Sequence, residues 1–360
     1  MKKTLSIIAS LVLAANSLQA DSFDITDALQ SGSFSGDIMV YHESIDATPN
    51  AGFSMGSLGF AYESAKFRGF GLNLGFRANN EFDERNDGDY SDGGEPRVLL
   101  HTANISYEGD GFSAIVGRQE LDLEWATDFH EAVVGVFTPL TDLTIIAGHT
   151  IRLGVADQDA PLERFSKING NDGTQLLDIS YTGIEDTLLK AYMYNANDVA
   201  TWYGLKGEWD SEMFGFTLHG AQSSEDAAGA ADGAIYHIEG RLNVAGISLS
   251  GGYIDTDKDA GIGSMDAIGE SINPLEEGNQ VYEADARTYY VGAGYEISSI
   301  SLGAMYAQTK YGQDKESEIN FSADYAFNDN LSFGGIVADV DAQNSTEDYT
   351  KFAINATYAF

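Results

Sequence analysis

The sequence has 360 residues, 56 acidic and 19 basic, for a formal net charge of −37, and it contains no cysteine. That balance argues against a nucleic-acid partner, since phosphate binding needs basic stripes, and it excludes disulfides and thiolate chemistry. Yet 43% of residues are hydrophobic, with 40 Gly, 19 Tyr and 19 Phe. High charge with few aromatics would predict disorder, whereas this mixture predicts β-structure with strongly hydrated loops.

At the start, Lys2 and Lys3 precede an apolar run from Leu5 to Ala15 and a short stretch ending Ser17-Leu18-Gln19-Ala20. A basic start, a short apolar middle and a small residue at the cut predict a secretory signal peptide over 1–20, leaving one domain over 21–360. Losing Lys2 and Lys3 takes the formal charge from −37 to −39. No later stretch reaches 18 uninterrupted apolar residues, so no transmembrane helix is expected.

From Ser33 onward one unit repeats: roughly ten residues of period-two alternation, then a turn. Phe70, Leu72, Leu74 and Phe76 form one face of such a run, and Gly71, Asn73, Gly75 and Arg77 the other. About eighteen runs satisfy this criterion, near 34–44, 51–63, 67–79, 98–107, 112–119, 129–138, 143–153, 175–182, 187–194, 199–209, 213–221, 234–243, 247–254, 287–297, 300–310, 317–326, 331–339 and 348–360. Tight connections such as EGDG, PLTD and GIED alternate with longer acidic ones, the longest running from Asp255 to Ala286. A strict interleaving of long and short is the rhythm of an up-and-down antiparallel barrel in a membrane.

All five prolines fall in predicted connections, where a missing ladder donor costs nothing. A barrel of eighteen strands is too wide to fill with side chains, so the polar faces should line a water-filled lumen and the apolar faces meet lipid. Aromatics near strand ends (Tyr181, Trp209, Phe214, Tyr295, Phe327, Phe360) suit a bilayer interface. The closing run KFAINATYAF should pair with the first strand near Phe34–Glu43 and leave no free edge.

Three stretches carry a resemblance. Tyr358-Ala359-Phe360 resembles the C-terminal signature read by the barrel-assembly machinery of Gram-negative outer membranes. Gly117-Arg118-Gln119 resembles the Gly-Arg-Gln stretch of OprD-type porins and the related major porins of campylobacter-type bacteria. The stretch DITDALQSGSFSGDIMVYHES is similar to that group's mature N-terminus. The resemblance implies an eighteen-stranded barrel in the outer membrane, often a homotrimer, passing small hydrophilic solutes, with the loop after the Gly-Arg-Gln strand helping to form a constriction.

On this reading Asp122, Glu124, Asp128 and Glu131 near Arg118 would set up a transverse field at the constriction. Strand parity puts Arg77, Arg152, Lys190, Lys206 and Arg241 in the lumen, and Arg118 is taken with them, because a charge on the lipid face costs about 2–4 kcal/mol at midplane. These cations form either a basic ladder for carboxylate solutes or pairs with lumen acids such as Glu239, Asp178, Glu318 and Asp324. The acidic loops should concentrate cations.

The stretch DERNDGDYSDGGE fails EF-hand spacing, because Arg85 occupies the third ligand position. No cofactor is expected; weak Ca2+ binding at the acidic loops, bridging lipopolysaccharide, stays open. The six histidines are scattered, with no HExxH or GxSxG, so no enzyme is expected. Only His130 and Glu131 beside Asp128 offer an acid–base grouping. The first reading is a passive, cation-selective diffusion channel in outer-membrane lipid. The alternatives are a structural or adhesive surface protein and a channel for carboxylate solutes.

Overall fold

The alternation that runs through the sequence closes on itself. The computed structural model describes residues 24–91 and 93–360; the expected signal peptide lies outside them. The strands are β1 (Ser33–Asp46), β2 (Ala51–Glu63), β3 (Phe70–Glu84), β4 (Val98–Gly109), β5 (Phe112–Glu120), β6 (Phe129–Leu140), β7 (Leu143–Gly154), β8 (Ser166–Lys167), β9 (Thr174–Ile184) and β10 (Thr187–Ala196). They continue with β11 (Ala200–Asp210), β12 (Phe214–Glu225), β13 (Ala234–Val244), β14 (Ile247–Thr256), β15 (Arg287–Ile297), β16 (Ile300–Tyr311), β17 (Asp314–Ala326), β18 (Leu331–Asp341) and β19 (Tyr349–Ala359). Each pairs antiparallel with the next, except that β8 pairs only with β7, and β7 joins β9 directly. Eighteen strands thus form a closed ring, with β8 outside it, as the sequence pattern predicts.

Closure is made by β1 and β19, in register from Asp37 opposite Ala359 to Asp46 opposite Thr350. Gly36 and Phe360 extend it by exchanging both backbone hydrogen bonds, each 2.9 Å. One short helix, α1 (Ile25–Gln30), was not visible in the alternation. Asp24 caps it by accepting from the amides of Thr26 and Asp27. Ala65, in the β2–β3 turn, donates to the Ala28 carbonyl at 3.0 Å and fixes the helix beneath β1 and β2.

The faces are inverted relative to a water-soluble protein. On β12 Phe214, Phe216 and Leu218 are exposed, while Thr217 and His219, which alternate with them, are buried. A hydrophobic outer surface is stable only against hydrocarbon. Tyr181, Trp209, Phe214, Tyr295, Phe327 and Phe360 are all exposed near the short-turn end, where they form a belt.

At the opposite end the connections 85–97, 121–128, 155–173, 226–233 and 257–286 are long. However, 47–50, 197–199 and 312–313 are as tight as the turns below. The strict long–short interleaving expected from the sequence therefore does not hold. Alternation fixes strand number and direction, but a hairpin at either end is free to be short.

Candidate pore constriction

The main apolar core lies inside the lumen, against one side of the wall. After β5, residues 121–128 turn inward as a miniature hairpin, closed by Leu121 donating to Asp128 (2.8 Å) and Leu123 donating to Ala126 (3.0 Å). Asp128 takes φ +68°, the left-handed turn that sends the chain back into β6. Leu121, Leu123 and Trp125 are buried with Met265, Ile268 and Val281 of the 257–286 loop. Together they pack on Tyr192, Tyr194 and Trp202, which face inward from β10 and β11. Trp125 donates to the Tyr192 hydroxyl at 3.0 Å, and its ring lies 5.8 Å from that of Tyr282.

Burying this hairpin carries Glu124 inside. Its carboxylate meets Lys190 at 2.9 Å and Lys206 at 3.3 Å, with His219 at 3.9 Å. Burial alone would raise the Glu124 carboxyl, but the two ammonium groups pull it down to about 2. Ser271 of the 257–286 loop donates to the other carboxylate oxygen at 3.3 Å. Glu124 therefore ties the hairpin, the wall and the long loop together.

The 257–286 loop then crosses the lumen. Near its start, Ser264 bonds the Glu225 carboxylate at 2.8–2.9 Å. Thr127 donates to the Ile268 carbonyl at 3.2 Å. At its tip the amides of Glu277 and Gly278 donate to Glu318 of β17 at 3.0 and 2.9 Å. Glu277 and Glu276 meet Lys351 of β19 at 2.9 and 3.2 Å, and Glu43 of β1 is 3.6 Å from the same ammonium. Below the tip lies a cavity of about 480 Å³ whose lining includes Glu239, Arg241, Ser250, Glu276 and Asn320.

A third segment narrows the remaining opening. Asn79 of β3 holds the 155–165 segment by donating to the carbonyls of Asp157 (2.8 Å) and Ala160 (2.7 Å). Leu162 is buried with Leu99 and Ala156. Asp159 and Glu276 both act electrostatically on Tyr41 of β1. Asp157 is exposed to the lumen but hemmed in by protein. That confinement, then the carboxylates of Asp128 and Asp159, push its carboxyl up to about 6. The eyelet is thus bordered mainly by acids, with Arg77, two residues from Asn79 on β3, held by Asp37 at 2.8 Å.

Several residues singled out from sequence stand here. Glu124, Lys190 and Lys206 form one ion cluster. Arg241 meets Asp210 at 2.8 Å and Glu239 at 2.6 Å, nearer the short-turn end. Arg77 lines the wall at β3, paired with Asp37. Asp128 borders the eyelet at the hairpin base, where Asp122 is half-buried, and Asp324 lies on the inward side of β17.

Arg118, Glu131 and Arg152 do not join them. His130, Ala132, Val134 and Val136 all face inward, so Glu131 shares the outer side of β6 with Val133 and Phe137. It pairs with Arg118 at 2.9 Å and Arg152 at 2.8 Å. The expectation failed for Arg152 because β7 carries an irregularity: Thr150 pairs with Ala132 and Arg152 with Glu131, leaving Ile151 extra and reversing the parity. The alternating signs offset the cost of facing outward. His130, moreover, is occupied by Thr150 (2.8 Å) and the Thr127 carbonyl (2.8 Å) on the inner side. It shares no acid–base site with Glu131.

The residues that sequence reasoning missed are the apolar ones of the loops. Leu121, Leu123 and Trp125 sit in the stretch expected to form the constriction through its acids, and Ile262, Met265, Ile268 and Val281 in the long acidic connection. Their apolar character was the available signal. In DERNDGDYSDGGE, the Glu84 and Asp89 carboxylates accept backbone amides of Tyr90 and Gly52, both at 2.9 Å.

The sequence matches the family model for Gram-negative porins over residues 8–360. No curated protein matches it in sequence. Among solved structures, the fold is similar to OccAB4 of Acinetobacter baumannii, with a TM-score of 0.78 and 13% identity, covering 92% of this chain and 98% of that one. It is also similar to OccD3 (OpdP) of Pseudomonas aeruginosa, with a TM-score of 0.74 and 12% identity, covering 95% and 94%. OccK8 (OprE) of the same organism gives 0.74 at 16% identity, covering 92% and 99%.

Proposed function

The chain belongs to the Gram-negative porin family, and on that premise we propose that its outer-membrane channel passes small hydrophilic solutes and ions with a preference for cations. The observation that carries this reading is the sign of the eyelet. Asp128, Asp157, Asp159, Glu276 and Glu277 border it, while the nearby cations Arg77 and Lys351 are engaged by Asp37 and by Glu43, Glu276 and Glu277. A passage with low-dielectric walls and a surplus of carboxylates raises the local concentration of cations and repels anions. Passage is passive, screened by the loop that crosses the lumen and by its charge.

The carboxylate-solute alternative has less support, since Arg77, Arg241, Lys190 and Lys206 are all already paired with acids. The purified barrel in a planar bilayer under a potassium chloride gradient should give stable channel steps and a reversal potential of cation sign. A reversal potential of anion sign would refute the preference, and a sealed bilayer with folded protein would refute the channel.

A further inference from the structure

The cavity between the loop tip and the short-turn end lies in the lumen, and its chemistry differs from that of the eyelet above. Two inward rows of the wall build it. In the lower row Ser248 of β14 is opposite Gly294 of β15, Gly294 is opposite Gly303 of β16, and Gly303 is opposite Ser322 of β17. In the upper row Ser250 is opposite Gly292, Gly292 is opposite Met305, and Met305 is opposite Asn320. A Cβ on Gly294 or Gly303 would collide with the hydroxyl of Ser248 or Ser322. The serine hydroxyls thus lean over bare backbone, and the wall recedes into a trough edged with hydroxyls.

The charges that border the cavity are already paired. Arg241 meets Glu239 at 2.6 Å and Asp210 at 2.8 Å, and Tyr290 donates to the other Glu239 oxygen at 2.7 Å. Glu276, at the loop tip, meets Lys351 at 3.2 Å. Asn320 is different. It is only 8% exposed, and its amide oxygen is buried with no hydrogen-bond partner among the described residues. A buried amide left unpaired bears the full cost of its desolvation, so a partner from outside the chain fits there. The groups open to a solute are therefore neutral: the Asn320 amide and the hydroxyls of Ser248, Ser250 and Ser322.

Apolar side chains complete the lining. Leu275 comes from the loop tip, Met305 stands beside Asn320, and Ile336 of β18 is opposite Ser322. A carboxylate solute would find no free cation here, and an ammonium no free carboxylate. A neutral ring with hydroxyls at its rim and C–H groups on its faces meets both halves of the lining. Its hydroxyls pair with the amide and the serines, and its faces pack on Leu275, Met305 and Ile336. An amide suits adjacent hydroxyls because it donates from nitrogen and accepts at oxygen. The volume of about 480 Å³ is that of a small-molecule site.

We infer that this cavity is a binding station for a neutral polyhydroxylated ring, of the monosaccharide or cyclitol class, with Asn320 as its central contact. The assignment rests on reading the lumen as a passage for small hydrophilic solutes.

The test uses the purified full barrel in detergent, with glucose as the probe and glucosamine and glucuronate as its cationic and anionic counterparts. Saturation-transfer NMR titrations should show saturable glucose binding, tighter than that of either charged ring. In planar bilayers glucose should interrupt the potassium current in a saturable way. Asn320→Ala should weaken glucose binding roughly tenfold, since two neutral hydrogen bonds are lost. If that variant does not fold, Ser248→Ala with Ser322→Ala removes hydroxyls from the trough and should weaken binding in the same direction.

No saturable glucose binding, tighter binding of glucosamine or glucuronate, or unchanged affinity in a folded variant would overturn the inference. A barrel that conducts but binds no glucose would overturn it and leave the channel reading intact. One that binds glucose in this pattern but does not conduct would overturn the channel reading and leave this one standing.

Discussion

At Asp157, position rather than residue type gives a carboxylate its role. It sits in the mouth of the eyelet, partly withdrawn from bulk water, with the carboxylates of Asp128 and Asp159 and the Arg77 guanidinium all acting on it. With its carboxyl pushed up to about 6, it is about nine-tenths ionised at pH 7 and about one-tenth at pH 5. The sign follows directly: acidification removes negative charge from the eyelet. Cation preference should therefore fall between pH 7 and pH 5, read as a smaller reversal potential in the same salt gradient. Asp157→Asn should start with the weaker preference and lose most of the pH dependence. A variant that keeps the full dependence would mean that another group titrates. Glu124 contributes nothing in this window, because Lys190 and Lys206 keep it ionised far below it.

At the scale of elements, the 257–286 loop behaves as a strut across the lumen. One end is seated by apolar burial of Met265, Ile268 and Val281, which is non-directional and hard to undo singly. The other hangs on charge: two amides on Glu318 and two carboxylates on Lys351. Hydrogen bonds to a charged group are worth about 1.5–3 kcal/mol each, so the tip is the end that can be released. Glu318→Ala with Lys351→Met should free it while the seated end stays put. Single-channel conductance should rise and the open current should become noisier, with the eighteen-stranded ring intact by circular dichroism. Unchanged conductance would show that the tip does not narrow the path.

This element also marks where the sequence stops being legible. Period-two alternation is local, so each strand could be read from its own ten residues. The loop's path depends on contacts between residues 124 and 271 or 277 and 351, which no local pattern encodes. Trp125 and Met265 were visible as apolar residues in acidic stretches, but nothing in their spacing said which would meet. Arg152 was misread for a related reason, since one extra residue on β7 reverses a parity that otherwise holds.

For the molecule as a whole, closure is the step on which everything else depends. An open sheet of this size would expose two edges of unpaired backbone to hydrocarbon, where each unsatisfied group costs several kcal/mol. The seam between β1 and β19 removes both. Its lower end is made by Gly36 and Phe360, whose backbone groups satisfy each other. Gly36 suits this place because a Cβ there would come within 2.8 Å of the Phe360 ring and 2.5 Å of the Gly59 carbonyl. Phe360 stacks with Tyr358, their ring centroids 6.3 Å apart, and both are exposed on the outer belt.

Deleting Phe360 removes two backbone hydrogen bonds at the seam, net about 0.5–1.5 kcal/mol each, together with one anchor of the belt. The wall and eyelet above are untouched. The amount of heat-modifiable barrel in outer-membrane fractions should therefore fall well below that of the intact chain. Channels formed by the surviving fraction should keep the same conductance and reversal potential. Normal membrane levels with altered conductance would reverse the argument, placing Phe360 in the path of ions rather than in the closing of the ring.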